Sequence, residues 1–573
     1  MVSFQALKKK ANAAGKDGLR VVKMAVLGNY STQILTASLK YAGIGVGFDF
    51  HIYEAGYDQI EAEVYDEQSS LYASEPDFIF LTLSSLKLQD KFYALNPTGK
   101  ASFAGDFMSH IGELVGLMSS RTNAKIILNN LETVNDQVFG NFYAKVDQSF
   151  TTKTYQINAA LIDLAKDSDR LFLFDLNGLI QYFGTSHIRD WSRFTDADLP
   201  FDVDFHAPFA QRLASFIAAF QGSVKKCLIL DLDDTLWGGV IGDDGLAGIR
   251  IGGLGIGMAF TRLQAWVKEL KERGIILAVC SKNEDAIARE PFEKHPDMLL
   301  RPGDISLFIA NWQDKVENIR TIQEILNVGF DSMVFLDDNP AEREIVRINL
   351  PQVTVPELPE DPAQYVDFLQ QLQLFETASY SPGDKDRTLQ YRQEDQRQRL
   401  RTTLTDMGDF LRSLEMQISI GPFSPADVSR IAQLTHRSNQ YNLRTTRYGE
   451  SDINAWMEDP SAYTLGVRLK DKFGDYGLIS VVILKKASDK ELFVDTWLMS
   501  CRVLKRGVES AVLNYCVSMA RENGFSRLTG EYIPTPKNAL VKDHYEKLGF
   551  ASVGGLWSLD FTGFDPLLHY INQ

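Results

Sequence analysis

An apolar strand that ends in three evenly spaced polar residues constrains this chain more than any other stretch. Cys227 to Leu230 are all apolar, and they lead directly into Asp231, Asp233 and Thr235. Side chains alternate along a strand, so the two aspartates face the same way if the extended backbone continues. Two carboxylates at one strand end can share a divalent cation and divide nucleophilic and acid–base roles. The stretch therefore predicts phosphoryl-transfer chemistry at the polar edge of a sheet.

Length, charge and cysteine content limit the number of domains and the kinds of partner that this protein can have. A length of 573 residues suggests about three or four folding units. The net charge of −16 argues against nucleic acid and membrane surfaces as partners, because both attract clustered Lys and Arg. Four scattered cysteines without a CxxC pair indicate the reducing cytoplasm, and we find no apolar run long enough to span a bilayer. Small molecules and proteins are therefore the expected partners.

The first 222 residues alternate short apolar strands with helices, which predicts a doubly wound parallel sheet. Gly28-Asn29-Tyr30-Ser31 follows the first strand, Asn129-Asn130 follows a later one, and His206 comes near the end. This order resembles the SGNH esterase fold. The Gly-Asp-Ser of that fold is absent, however, and Val203 stands where an aspartate would orient the histidine. We therefore expect a degenerate SGNH/flavodoxin-like domain that docks a partner or binds an acyl group.

A second unit is predicted over residues 223–375. After Asp231 and Asp233, Ser281-Lys282-Asn283 ends another apolar strand, Lys315 lies in a helix, and Asp337-Asp338 follows a further strand. Four such elements in this order resemble haloacid-dehalogenase-like phosphotransferases, which have a Rossmannoid α/β fold. For Lys315 alone, a solvated helix lysine is the alternative.

The chemistry of phosphate esters gives each of these groups a role. Asp231 is the expected nucleophile, and Asp233 is the acid that protonates the leaving oxygen and then activates water. Ser281 and Lys315 are expected to hold the transferring phosphoryl group. Mg²⁺ is the predicted cofactor, and its expected ligands are Asp231, Asp233, Asp337 and Asp338.

The residues after the second aspartate narrow the family. Trp237 is followed by Gly238 and Gly239, which predicts a flexible flap that can approach a substrate. The run DLDDTLWGGVIG resembles the FkbH-like proteins of polyketide pathways, where the residue in place of Asp234 is commonly Asn. Substrate contacts are expected at Thr235, Trp237 and Asn283.

A connector is predicted over 376–413, followed by a third unit over 414–573. Consecutive strands, a helix near 507–523 and a closing motif with Asn538, Tyr545 and Gly549-Phe550 resemble the α+β fold of GNAT acyltransferases. The pyrophosphate loop of that fold is replaced by a stretch in which Glu509 puts a carboxylate where a phosphate would lie. Phosphopantetheine carried on a protein is therefore expected rather than free acetyl-CoA.

Cys501 is the candidate acyl-carrying residue of this third unit. Arg502, Lys505 and Arg506 would favour its thiolate and could meet an acidic carrier protein. A structural thiol is the alternative for Cys501, whereas Cys280 and Cys516 are predicted to be core residues.

Other polar residues of the third unit are candidate contacts to the acyl group or its carrier: Asn439, Asn442, Arg502, Asn538, His544 and Tyr545. The alternative for Asn439 and Asn442 is backbone capping. The alternative for His544 as a general base is an exposed helix histidine.

The FkbH-like resemblance covers almost the whole chain and implies a glyceryl transferase and phosphatase. It implies that 1,3-bisphosphoglycerate loses its phosphates, that its glyceryl group rests on a cysteine thioester, and that the group moves to the phosphopantetheine of an acyl carrier protein. Two alternatives remain open: a plain Mg²⁺-dependent phosphatase of small molecules, and a non-catalytic scaffold for a carrier protein.

Overall fold

A computed structural model of the chain describes residues 2–16, 18–379, 406–438, 440–500 and 503–572. The chain divides into two compact units, Met1–Ala218 and Ala219–Gln573. The boundaries predicted at residues 222, 375 and 413 stay predictions, because most of the expected connector lies outside the described residues. In the described part of the chain, every helix is too short or too polar to traverse a lipid bilayer.

The first unit is built on a five-stranded parallel sheet in the order β2-β1-β3-β4-β5. Its strands are β1 Arg20–Gly28, β2 Phe48–Glu54, β3 Phe78–Thr82, β4 Lys125–Asn129 and β5 Leu171–Phe174. Its helices are α1 Phe4–Ala14, α2 Gln33–Gly45, α3 Ile60–Tyr65, α4 Ser70–Ala73, α5 Ser85–Tyr93, α6 Pro97–Arg121, α7 Phe150–Lys166, α8 Leu176–Phe183, α9 Trp191–Ala197 and α10 His206–Phe220.

The central strands of this sheet are buried on both faces. Every residue of β3 is buried, as expected for a parallel strand covered by helices on both sides. The predicted doubly wound arrangement is therefore confirmed, and the carboxyl ends of β1, β3 and β4 meet at one edge.

The second unit contains two sheets. The first is four-stranded and parallel, in the order β8-β7-β6-β9, with β6 Cys227–Leu230, β7 Ile276–Ser281, β8 Leu307–Ala310 and β9 Met333–Leu336. Its helices are α11 Ile241–Gly248, α12 Gly257–Glu272, α13 Asp285–Lys294, α14 Lys315–Leu326, α15 Pro340–Asn349 and α16 Tyr365–Gln371.

The second sheet has seven strands in the order β10-β11-β12-β13-β14-β16-β15. Its strands are β10 Gln417–Gly421, β11 Ala462–Asp471, β12 Gly474–Ser488, β13 Glu491–Met499, β14 Arg527–Gly530, β15 Ala551–Val553 and β16 Leu556–Asp560. Its helices are α17 Met407–Ser413, α18 Val428–Arg437, α19 Glu450–Glu458, α20 Val508–Glu522 and α21 His544–Lys547. All neighbouring strands are antiparallel except β13 and β14.

Two features of this sheet differ from expectation. The closing motif forms only the single turn α21 rather than a longer helix. After it comes the hairpin β15–β16, which turns at Gly554 and Gly555, both with positive φ. A two-residue Gly-Gly turn of this kind is a recognised hairpin signal in sequence.

Candidate active site

The carboxyl ends of three neighbouring strands in the four-stranded sheet form the candidate active site. Asp231 follows β6, Ser281 ends β7, and Asp337 and Asp338 follow β9. Because β7, β6 and β9 are adjacent and parallel, these strand ends meet at the same edge of the sheet. The fold thus brings together residues that lie up to about a hundred positions apart in sequence.

Lys315 lies between two of the carboxylates. Its Nζ is 2.8 Å from Asp231 Oδ2 and also contacts Asp337 Oδ2. It is the first residue of α14, whose N-cap Asp314 accepts a hydrogen bond from the Val316 amide at 2.6 Å. Lys315 is buried, so the solvated alternative is wrong.

The carboxyl groups around Lys315 resist ionisation. Burial and the charge of Asp337 raise the pKa of Asp231 to about 6, although Lys315 opposes both. Burial also raises the pKa of Asp337, and burial with the charges of Asp231 and Asp234 raises that of Asp338 to about 6. For Lys315, burial lowers the pKa, but the two facing carboxylates outweigh it and raise the pKa above its usual value. One lysine therefore does not balance three neighbouring acids.

A cation would supply the missing positive charge. Asp231, Asp337 and Asp338 each offer an oxygen within 4.8 Å of the others. Asp231 Oδ1 is buried and has no hydrogen-bond partner among the described residues. A set of carboxylate oxygens, one without a partner, fits Mg²⁺, which prefers few carboxylates and fills its other positions with water or phosphate.

Asp233 lies outside this group of three acids. Its Oδ1 accepts hydrogen bonds from Trp237 Nε1 and the Ile241 amide, each at 3.0 Å, and its Oδ2 accepts one from Asn283 Nδ2 at 2.8 Å. Asn283 also donates to the Ser281 hydroxyl at 3.2 Å. Three donors therefore hold the Asp233 carboxylate in one orientation.

Trp237 differs from the expected substrate-contacting flap. Its ring is fully buried and packs edge-on against Phe292, with 6.0 Å between ring centroids. The next residue, Gly238, pairs with Arg250 through two backbone hydrogen bonds of 3.0 and 2.8 Å. A Cβ at Gly238 would lie 2.8 Å from the Phe260 ring, so glycine is required by the close packing. The prediction that Trp237 contacts substrate is therefore wrong; the residue supports Asp233.

Two further residues orient the acidic pair after β9. Thr235 is buried, and its hydroxyl accepts a hydrogen bond from the Asp338 amide at 3.1 Å. Arg343 donates to the carbonyl oxygens of Asp337 at 2.9 Å and Asp338 at 2.6 Å. Sequence reasoning missed Arg343, which lies one turn into α15 among several charged residues and carries no motif of its own.

In the seven-stranded sheet, the predicted asparagines bind backbone. Asn538 Nδ2 donates to the carbonyl oxygens of Asn442 at 3.0 Å and Ile533 at 2.9 Å, and its Oδ1 accepts from the Thr535 amide at 2.7 Å. Asn442 Oδ1 accepts from the Thr445 amide at 2.8 Å. Both side chains are buried, and the capping alternative describes Asn442.

A short segment, Tyr441–Leu443, lies beside the end of β13. The strands β13 and β14 pair only from Glu491–Val494 to Arg527–Gly530. Beyond that point the Met499 amide donates to the Tyr441 carbonyl at 3.0 Å and the Leu443 amide donates to Trp497 at 3.3 Å. On its other side, the Leu443 carbonyl accepts from the Ile533 amide at 2.9 Å. The segment is therefore hydrogen-bonded between the end of β13 and Ile533.

His544 is buried, so the expectation of an exposed histidine is wrong. Its Nδ1 is 2.7 Å from the Tyr441 hydroxyl, and its ring packs edge-on against Trp497 at 4.6 Å. Burial lowers the pKa of His544 to about 3, so the imidazole is neutral at physiological pH. Its Nε2 and the neighbouring Tyr545 hydroxyl have no partner among the described residues.

The residues around the start of α20 only partly match expectation. Glu509 lies in its first turn, and burial raises the pKa of that carboxyl. Arg506 is buried, stacks on Tyr476 and lies 3.6 Å from Asp471, so it cannot meet a carrier protein. Cys280 and Cys516 are buried core residues, as predicted. Asn439, Cys501 and Arg502 lie outside the described residues.

In the first unit, His206 is fully buried beside Phe201. Its Nδ1 is 2.9 Å from the Asp202 carbonyl, its Nε2 has no partner among the described residues, and burial lowers its pKa to about 4. Among the described residues the ring therefore contacts a backbone carbonyl rather than a carboxylate.

Two comparisons place the chain among known proteins. The family model described as FkbH, N-terminal domain, matches residues 23–218. The crystal structure of the N-terminal part of the protein BF1531 from Bacteroides fragilis, which contains a phosphatase domain complexed with Mg, is 43% identical and has a TM-score of 0.63. It covers 66% of this chain and 100% of that chain. The chain belongs to the FkbH-like family.

Weaker similarities to the FkbH-like chain come from acetyltransferases. The GNAT domain of S. lividans PAT is 18% identical, covers 25% of this chain and 89% of that chain, and has a TM-score of 0.20. The ribosomal-protein-S18-alanine N-acetyltransferase from Escherichia coli is 14% identical, covers 27% of this chain and 99% of that chain, and has a TM-score of 0.21. No curated protein sequence matches. Similarities this weak assign no activity to the seven-stranded sheet.

Proposed function

We propose that this FkbH-like protein is a Mg²⁺-dependent phosphatase whose reaction takes place at Asp231. One observation carries the proposal. Asp231 lies against Lys315 and beside Asp337 and Asp338, while Asp233 is held separately by three hydrogen-bond donors. The two aspartates thus have different surroundings, as a nucleophile and an acid–base group require.

The reaction proceeds in two displacements. An Asp231 oxygen attacks phosphorus, the bond from phosphorus to the leaving oxygen breaks, and Asp233 gives that oxygen a proton. Asp233 then takes a proton from water, which attacks the aspartyl-phosphate, releases inorganic phosphate and restores Asp231. Lys315 and the Ser281 hydroxyl bind the phosphoryl oxygens. Asn283 donates hydrogen bonds to both Asp233 and Ser281 and so fixes their relative positions.

Asp231, Asp337 and Asp338 would hold Mg²⁺, with Thr235 and Arg343 fixing the loop that carries the last two. When bound, the cation neutralises phosphate charge and so lets a carboxylate approach phosphorus. Asp233, a predicted ligand, contributes no carboxylate oxygen to this group, because its side chain is engaged elsewhere.

The finer proposal follows the family resemblance. In it, the substrate is 1,3-bisphosphoglycerate, the glyceryl group rests on Cys501 as a thioester, and the phosphopantetheine thiol of an acyl carrier protein takes the group in polyketide biosynthesis. Residues 223–375 would carry the phosphatase and residues 414–573 the acyl transfer. The unpartnered His544 Nε2 and Tyr545 hydroxyl support a polar reaction centre in the latter.

The experiment follows phosphate and carrier mass together. The full chain is incubated with Mg²⁺, 1,3-bisphosphoglycerate and phosphopantetheinylated carrier protein, and phosphate release and the intact mass of the carrier are measured. Asp231→Asn should abolish phosphate release from the substrate. Cys501→Ala should abolish the glyceryl adduct on the carrier, and the matched control Cys516→Ala should retain it.

Each outcome separates the alternatives. Phosphate release without any adduct would leave a plain phosphatase and refute acyl transfer. Equal phosphate release by wild type and Asp231→Asn would refute the phosphatase at this site. A carrier protein that binds but is neither acylated nor accompanied by phosphate release would favour the scaffold.

A further inference from the structure

A buried polar cluster lies at the carboxyl edge of the five-stranded sheet, and the proposed phosphatase does not use it. The cluster consists of Asn29 after β1, Ser84 and Ser85 after β3, Glu132 after β4, and Arg189 before α9. Ser84, Ser85 and Glu132 are 0% exposed and Asn29 is 3% exposed. We call these five residues the Glu132 cluster.

Two sets of hydrogen bonds, joined by the Ser84–Ser85 peptide bond, connect the Glu132 cluster. Asn29 Oδ1 accepts from the Ser84 amide at 2.9 Å. The Ser85 amide and hydroxyl donate to the Glu132 carboxylate at 3.1 and 2.8 Å, and Arg189 Nη2 donates to the same carboxylate at 3.5 Å. The groups therefore form one site rather than scattered buried contacts.

Three polar atoms of this site have no partner among the described residues: Asn29 Nδ2, Ser84 Oγ and Arg189 Nε. Buried polar groups are rarely left unpaired, because each loses its hydrogen bonds to water without replacement. The amide and guanidinium nitrogens can only donate, and the hydroxyl can donate as well. The missing partner is therefore a hydrogen-bond acceptor.

The charges of the site favour a neutral acceptor. Glu132 and Arg189 form a buried ion pair, so their charges cancel. Burial raises the pKa of Glu132 even though Arg189 opposes it, which indicates that the surroundings disfavour negative charge. A ligand carboxylate would add a second buried anion beside Glu132, whereas a carbonyl oxygen adds lone pairs and no charge.

We propose that the Glu132 cluster binds the carbonyl oxygen of a neutral acyl compound, that is an ester, an amide or a thioester. Arg189 is the most exposed member, with 6% of its side chain exposed, and it lies 5.6 Å from the ring of Trp191, which is 59% exposed. The side of the cluster nearest to solvent is therefore the side at Arg189. This inference goes beyond the proposed phosphatase, because none of the five residues belongs to the Asp231 site.

The test is a ligand-observed NMR titration of the full chain by saturation transfer. Methyl acetate, acetamide and S-methyl thioacetate distinguish the ester, amide and thioester sources of the carbonyl, and acetate supplies an anion of similar size. Ser84→Ala removes one unpartnered hydroxyl without breaking a protein hydrogen bond. Ser306→Ala is the matched control, since Ser306 Oγ is also buried without a partner but lies in the four-stranded sheet region.

Binding of at least one neutral probe should reach saturation in wild type and in Ser306→Ala. Acetate should not compete with that probe. Ser84→Ala should raise the dissociation constant of that probe about fivefold, which corresponds to one lost hydrogen bond. Saturation that Ser84→Ala leaves unchanged would overturn the proposal. So would equal competition by acetate, or the absence of saturation by all three neutral probes, which would leave ordered water as the partner of the three atoms.

Discussion

Replacing Trp237 with Phe tests whether a single buried hydrogen bond sets the reactivity of Asp233. The substitution removes the indole N–H that donates to Asp233 Oδ1 at 3.0 Å. It keeps an aromatic ring against Phe292, and it leaves the Ile241 amide and Asn283 as donors to the carboxylate. The perturbation therefore reaches Asp233 without touching the groups around Lys315.

The expected magnitude follows from the charge on the acceptor. A hydrogen bond to a charged group contributes roughly 1.5–3 kcal/mol, and the lower end applies because two donors remain. If that loss falls mainly on the step in which Asp233 protonates the leaving oxygen, kcat falls about tenfold while KM changes less than about twofold. The smaller ring in the core should also lower the free energy of unfolding by roughly 1–3 kcal/mol.

Steady-state hydrolysis of a phosphate monoester with a poor leaving group measures this effect, because such a substrate depends on protonation. Trp266→Phe is the matched control: Trp266 also packs edge-on against a phenylalanine, Phe375, in the same cluster but does not contact Asp233. The control should keep wild-type kcat. If Trp237→Phe lost stability but kept wild-type kcat, the assignment of Asp233 as an acid positioned by Trp237 would be refuted.

Three further changes have defined outcomes. Because burial lowers the pKa of His206 to about 4 from 6.5, the unfolded chain binds the proton first as pH falls. The free energy of unfolding that His206 contributes above pH 6.5 is therefore lost towards pH 4, by about 2 kcal/mol at pH 5. Hydrogen exchange of β1 and β3 should show this loss in wild type. The His206→Asn variant should not show it. Thr235→Val should raise the Mg²⁺ concentration for half-maximal activity about tenfold, while Thr235→Ser stays near wild type. Asn538→Leu should cost about 3 kcal/mol by chemical denaturation, whereas Asn523→Leu at an exposed helix end should cost under about 1 kcal/mol.

The order of polar residues after apolar strands was sufficient to predict the four-stranded sheet edge. Parallel strands carry whatever follows them to one side, so Asp231, Ser281 and Asp337 could be grouped without knowing the turns between them. The same logic predicted the edge of the five-stranded sheet.

Direction and burial of individual side chains could not be predicted in this way. Asp233 and Trp237 are four residues apart in a loop, and only the folded backbone shows that the indole turns inward to bind the carboxylate. Arg343 acts on carbonyl groups, which every residue has, so no residue type marks its partners. His544 lies in one turn of helix whose exposure depends on Trp497 and Tyr441, both distant in sequence.

The segment Tyr441–Leu443 limits how fast an extended ligand can enter between β13 and the irregular stretch after β14 that contains Ile533. Its backbone is bonded on both sides, so an extended ligand cannot pair with the end of β13 until those bonds open. Arrival of such a ligand would then be a strand exchange. Its observed rate would rise with ligand concentration only until it equals the opening rate of the segment, and further ligand would give no faster binding.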